Sequence, residues 1–225
     1  MRRGRSSFSG TREVTLGLGA YAAYLAVRHA VLAGDGRERA RRNAVRLLAI
    51  ERKLGIDVEG AVQGAVVGAP RLVYALNGCY AGLNVALSVG WLLRLFRRRD
   101  PGFQRERSAA VLAFAGALPV FLALPVAPPR TQVGYVDTLG EAGVDIEHPF
   151  LVRFYNPIAA LPSQHVAFAV VTGGGLAARS RGLGRAVAWA YAPVVSLVVV
   201  ATANHYVLDV AAGAALGALA RALTR

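Results

Sequence analysis

Acidic side chains are scarce in this chain: 13 Asp and Glu stand against 26 Lys and Arg, and after Glu147 only Asp209 remains. The later part therefore lacks the clustered carboxylates that hold Mg²⁺. Lysine is nearly absent as well, with Lys53 the single one and arginine supplying the other basic side chains. That skew reflects coding bias rather than chemistry. Cys79 is alone inside an apolar run, which excludes an intrachain disulfide and leaves the redox compartment unread. No HExxH or CxxC occurs, so the common zinc signatures are missing, and no GxxxxGK(S/T) or GxSxG supports nucleotide hydrolysis or an esterase elbow.

What the chain has instead is apolar sequence. The hydrophobic share is 55% and the mean hydropathy +0.41, more than a soluble domain carries. Several runs approach the roughly 20 residues a helix needs to cross a bilayer. Six spans are expected, at 14–34, 72–96, 108–127, 164–179, 186–204 and 206–223. The fold class predicted is all-α, a polytopic membrane helix bundle. Residues 1–13 form a basic tail and 14–223 one membrane-embedded domain. Met1-Arg2-Arg3-Gly4-Arg5 precedes an apolar run without a small-residue cleavage site, so the first span is expected to be an anchor and not a removed signal. Gly213 and Gly217, four apart, have the spacing that lets two helices approach closely.

Residues 36–54 differ in texture. Val45, Leu47, Leu48, Ile50 and Leu54 recur among charges at helical spacing, as in an amphipathic helix lying on a membrane surface or packed on the flank of the bundle. The arginines sit between apolar runs rather than on one face, so nucleic acid is not an expected partner. Arg97-Arg98-Arg99, Arg105 and Arg107, then Arg179, Arg181 and Arg185, make one basic side, which the positive-inside rule assigns to the cytoplasm. The arginines of 36–54 run against that rule and would have to meet anionic headgroups. With this orientation Arg130, Ser163, His165, His205 and Asp209 converge on the extracytoplasmic face of a cell membrane.

Polar groups in such surroundings are costly unless they have a task. Ser163 follows Pro162 and suits a helix N-cap, aiming the amides of Gln164, His165 and Val166 at the aqueous face, a site favourable to phosphate. Arg130 follows two prolines and offers a donor fork suited to phosphate oxygens. The plainer readings are a simple cap and a simple flanking charge. His205 and Asp209 are four apart on one helical face. A carboxylate on one ring nitrogen would leave the other nucleophilic, and His165 could then move a proton. Two histidines and a carboxylate could also ligate metal, but no second carboxylate cluster joins them, and neither metal nor cofactor is expected. Asp35-Gly36 with Ala40-Arg41 is one residue off the spacing of the CDP-alcohol phosphotransferases and lacks their downstream acidic pair.

At these residues the chain resembles the type 2 phosphatidic acid phosphatase superfamily, and within it the branch of the inositol phosphorylceramide synthases. The resemblance covers about residues 45–215. It rests on Glu51, Leu54-Gly55-Ile56 and Glu59, on Ala127-Pro128-Pro129-Arg130 with Gly134 and Asp137-Thr138, on Asn156 to His165, and on Thr202-Ala203-Asn204-His205-Tyr206-Val207-Leu208-Asp209. It implies that His205 forms a phosphohistidine, that Asp209 orients it and that His165 protonates the leaving alcohol and then activates the acceptor. Arg130, Ser163, Gln164 and Asn204 would hold the phosphoryl oxygens, with Arg153 a further candidate cation. The wider superfamily carries an arginine where this chain has Val199, an absence the closer branch shares. The function implied is a lipid-phosphate phosphatase or phosphotransferase acting on a lipid phosphate or phospholipid. A narrower form is a transferase of phosphoinositol to a lipid hydroxyl, and the non-enzyme alternative is a membrane transporter or lipid-binding scaffold.

Overall fold

The structure, a computed structural model, describes residues 8–143, 148, 150 and 156–224, the side chain of residue 81 excepted. Among these residues it is all-helical, with a lone parallel bridge between Val126 and Ala159. The first helix, α1 (Gly10–Leu32), is capped by the Ser9 hydroxyl, which accepts from the Arg12 amide. A turn through Gly34, at φ +58°, bends the chain by 87° into α2 (Gly36–Leu54). Gly36, Ala40, Ala44, Leu47 and Glu51 form the buried stripe of α2. This stripe packs with Val126, Ala127, Ile158, Ala160 and Tyr206, while Val45, Ile50 and Leu54 face outward. The 36–54 segment is thus a flank helix by one face and leaves a second apolar edge exposed. Gly55, left-handed at φ +69°, ends it, and α3 (Glu59–Val67) follows at once.

The second expected span is one long helix in three parts. A π-helical turn at Cys79–Leu83 joins α4 (Pro70–Gly78) to α5 (Asn84–Arg97). Next come α6 (Phe103–Ala123) and the one-turn α7 (Thr138–Glu141). The last three helices are α8 (Gln164–Ala177), α9 (Gly182–Ala201) and α10 (Val207–Leu223). At the centre, α8 packs against α5, α6, α9 and α10. Gly213 and Gly217 seat α10 on it: a Cβ on either would run into the backbone of Ser163 or Ala167.

Every expected span is helical over most of its length. Among the described residues, α6 and α9 are long and apolar enough to cross a membrane, and α1 with α2 is a third such unit if that bent pair counts as one. The other segments fall short individually. The π turn divides one, and α8 has 14 residues, or about 21 Å at 1.5 Å per residue, because its first turn gives way to the polar loop before it.

Candidate active site

The strand-like piece before Arg130 sets its position. Ala127 N–H donates to Ala40 (3.1 Å) and Ala160 N–H to Val126 (3.0 Å), tying the loop to α2 and to the segment leading into α8. Pro128 and Pro129 then turn the chain into a 3₁₀ turn, Pro129–Thr131. Arg130 N–H donates to the carbonyl of Ala203 (2.8 Å), and its Nη1 to Asn204 Oδ1 (3.0 Å). Its Nε lies 3.7 Å from Asp137. Asn204 is fixed in turn, since its Nδ2 donates to the carbonyl and hydroxyl of Thr202 (3.2 and 2.9 Å). The amide oxygen is therefore the atom that meets the guanidinium.

Between α9 and α10 the chain turns sharply, with Ala203 at φ +50°, a conformation uncommon for a residue with a side chain. The carbonyl of Val199 accepts from both Asn204 and His205 N–H (3.0 and 3.1 Å), closing the end of α9. The Val199 side chain is fully buried in an apolar cluster with Tyr80, Val166 and Val195. The position where the wider superfamily carries arginine is built here for packing.

The geometry at His205 decides its tautomer. Nδ1 lies 2.9 Å from the carbonyl oxygen of Ala160. A carbonyl can only accept, so Nδ1 carries the proton and Nε2 is left with its lone pair. Asp209 is farther, with Oδ2 3.5 Å from Nδ1, and the same oxygen accepts the Tyr206 amide at 2.9 Å. The orienting acceptor is thus primarily a backbone carbonyl, with the carboxylate behind it. Burial, reinforced by Arg130 nearby, holds the His205 imidazole well below its ordinary range, at about 3, and so neutral.

His165 is held by the π turn. A π turn shifts the helical hydrogen-bond register, and here the carbonyl of Tyr80 accepts from the His165 ring. The two rings stack at 4.4 Å. Asn84 donates from Nδ2 to the His165 carbonyl (3.0 Å) and accepts from the Tyr191 hydroxyl at 2.5 Å. The His165 and His205 rings lie 5.9 Å apart. Both open on one cavity of about 450 Å³, lined also by Tyr80, Asn156, Gln164 and Asn204. A second cavity, about 370 Å³, shares Tyr80 and His165 and runs between apolar residues of the π turn and α9, among them Leu83, Val194 and Val198.

Ser163, fully buried, accepts the Val166 amide as N-cap of α8 (3.4 Å), and its own N–H donates to the Asp209 carbonyl (3.0 Å). Gln164 Nε2 reaches the Phe114 carbonyl (3.3 Å). His165, His205, Gln164 and Asn204 thus share the cavity wall, whereas Arg130 and Asp209 are buried behind it. Arg153 lies outside the described residues. Tyr80, Asn84 and the Ala160 carbonyl escaped the sequence reading, which named Asn156 only as the start of the string running to His165. Asn77 and Asn84 inside an apolar run were the available signal for two of the helix turns involved, by the same cost argument that singled out the histidines.

A family model described as the PAP2 superfamily matches residues 45–223, most of the chain, and the chain belongs to that superfamily. The match carries nothing particular to the inositol phosphorylceramide synthase branch. No curated protein and no solved structure matches.

Proposed function

We propose that this PAP2-superfamily protein is a membrane enzyme that removes or transfers the phosphoryl-containing group of a lipid through a covalent phosphohistidine. The observation that carries the reading is the pairing of a neutral His205, its Nδ1–H given to Ala160, with His165 across one cavity. Nε2 of His205 attacks phosphorus, and the P–O bond to the leaving alcohol breaks as His165 delivers a proton to that oxygen. In the second half His165 takes a proton from water or an alcohol, which attacks the phosphohistidine and frees His205. Arg130, acting with Asn204 and the amides at the start of α8, balances the charge that gathers on the phosphoryl oxygens. The apolar cavity beside His165 suits a lipid rather than a soluble ester.

One observation favours the narrower reading, transfer of a phosphodiester-linked headgroup such as phosphoinositol to a lipid hydroxyl. With valine at position 199 packed in an apolar cluster, the cation supplied by the described site is Arg130. A diester carries one negative charge and needs less neutralisation than a monoester dianion. The basic connectors at the opposite end of the helices support an extracytoplasmic face for the site. The test is turnover of lipid phosphomonoesters and phosphodiesters by purified protein, with and without alcohol acceptors, read by mass spectrometry of products. His205→Ala should fold, insert and lose turnover entirely. Wild-type turnover in that variant would end the mechanism.

A further inference from the structure

The first turn of α10, which begins two residues after His205, is closed by three carboxylates from three helices. Tyr206 N–H donates to Asp209 (2.9 Å), Val207 N–H to Glu59 Oε1 (2.7 Å) and Leu208 N–H to Glu51 Oε1 (2.7 Å). The chain turns through left-handed Gly55 between α2 and α3, and Glu51 from the one and Glu59 from the other reach the same helix end. All three side chains are fully buried. Carboxylates capping free amides are favourable at a helix N-terminus, but the cap has a remainder. Oε2 of Glu51, Oε2 of Glu59 and Oδ1 of Asp209 are buried without a hydrogen-bond partner.

Glu51 and Glu59 interact directly through their side chains. Two ionised carboxylates in contact and out of water repel strongly, whereas one proton between them turns the contact into a hydrogen bond and satisfies both outer oxygens. Asp209 and Tyr206 face Glu51 from the α10 end and Tyr135 from the loop after Arg130, and Tyr135 is faced in turn by Arg52 and Asp57 from the chain around Gly55. Burial first, then Glu59 and Asp209, push the Glu51 carboxyl up from its ordinary 4.5 to about 8, against the lowering influence of the Leu208 amide.

We infer that Glu51 and Glu59 are positioning residues that share one proton and, as a protonated pair, clamp the start of α10 and so hold His205 in its attacking position. This rests on His205 being the nucleophile. When the proton leaves, the two charges push α2 and α3 apart, the caps on Val207 and Leu208 loosen, and the imidazole loses its registry with the Ala160 carbonyl. A merely structural cap would need both acceptor oxygens but no proton.

The variants Glu51→Gln, Glu59→Gln and the double substitution separate these cases. A single glutamine keeps the acceptor oxygen and donates from Nε2 to the remaining carboxylate, imitating the shared proton permanently. Two glutamines set N–H against N–H and fail. Stability of the detergent-purified proteins against pH is the readout that needs no activity. Because the Glu51 value is raised on folding, its stabilising contribution is complete below about 4.5 and is lost as pH rises to about 8. Wild-type Tm should therefore fall relative to Glu51→Gln across that window, and parallel curves would overturn the pair.

The second readout is the burst of nitrophenol from a p-nitrophenyl phosphodiester, a first step in which proton donation by His165 counts least. Its rate should decline in the wild type as pH passes about 8, and the decline should be absent in Glu51→Gln. The double variant should be slower than the product of the single effects by about 10–10²-fold. Effects that simply multiply, with an unmoved alkaline decline, would also overturn the inference. A wild-type protein inert toward every phosphate ester would defeat the enzymatic reading, and the Tm comparison would still decide the proton-sharing pair. If the double variant does not fold, the pH behaviour of the single variants decides.

Discussion

The attack proposed for His205 depends on which atom holds its other nitrogen, and that atom is a main-chain oxygen. Because Ala160 O accepts from Nδ1 at 2.9 Å and Asp209 stands at 3.5 Å, Asp209→Asn leaves the tautomer intact. The loss should stay well short of the ~10⁴-fold seen when a sole orienting carboxylate is neutralised, and it should appear in kcat of the purified variant. A loss of that full size would make the carboxylate, and not the carbonyl, the orienting group. His165 has a separable part. His165→Ala should slow both halves of the reaction by about 10²–10⁴-fold with an ordinary alcohol leaving group. With nitrophenol, whose departure needs little protonation, the first half should recover while the phosphoenzyme accumulates, seen by rapid quench as acid-labile phosphate on His205. No burst and no dependence on leaving-group pKa would mean that the two histidines have been given each other's roles.

At the scale of elements, the spacing Gly213 to Gly217 matters more than its composition suggests. A Cβ at Gly213 meets the Ser163 backbone, and one at Gly217 would sit 2.6 Å from the Ala167 carbonyl oxygen. Backbone cannot yield as a side chain can, so each alanine should cost about 1–3 kcal/mol as overpacking, visible as a lower Tm. Gly213→Ala should in addition lower kcat, because it parts Ser163 from the Asp209 carbonyl that it donates to, whereas Gly217→Ala, a turn farther on, should lower Tm with little change in kcat. Equal kcat losses would argue that α10 moves as one rod. The helices themselves were legible in the apolar runs, and the strings around Ser163 and His205 marked a candidate site, because polar residues there contradict their surroundings. The π turn was not legible: Cys79 to Leu83 looks like any apolar helix, and the Tyr80 carbonyl matters only because α8 brings His165 beside it. The Ala160 carbonyl was hidden for the same reason, since backbone atoms carry no letter. Residues 36–54 announced an amphipathic helix, yet only packing could decide that Ala40, Ala44 and Leu47 face the bundle while Val45 and Ile50 face out.

Across the whole molecule, the question of sides turns on which arginines are free to act on a membrane. At the end opposite the site, buried Glu106 binds Arg179 (2.9 Å) and Arg221 (3.0 Å), and Arg107 pairs with Glu13 (2.9 Å). These are internal fasteners, and only removing both Arg179 and Arg221 would leave buried Glu106 without a counter-charge. Arg97, Arg98, Arg181 and Arg185 remain at that end as charges in the short connectors and the helix turns beside them, where the positive-inside rule counts them. On the site side α2 brings its own arginines, but Arg39 and Arg42 are engaged with Asp35 and Glu38 on the helix surface. The connectors should therefore prevail, with the cavity facing away from the cytoplasm. Val133, fully exposed in the loop after Arg130, and Leu183, exposed in the first turn of α9, report the two sides without the positive φ that a cysteine at Gly134 or Gly182 would have to adopt. In a protein with Cys79 replaced by alanine, Val133→Cys should react with a membrane-impermeant thiol reagent in intact cells, and Leu183→Cys only after the cells are opened. The reverse pattern would mean that the arginines of α2, bound to anionic headgroups, hold their side in the cytoplasm, and that the lipid headgroup reaches the histidines from within.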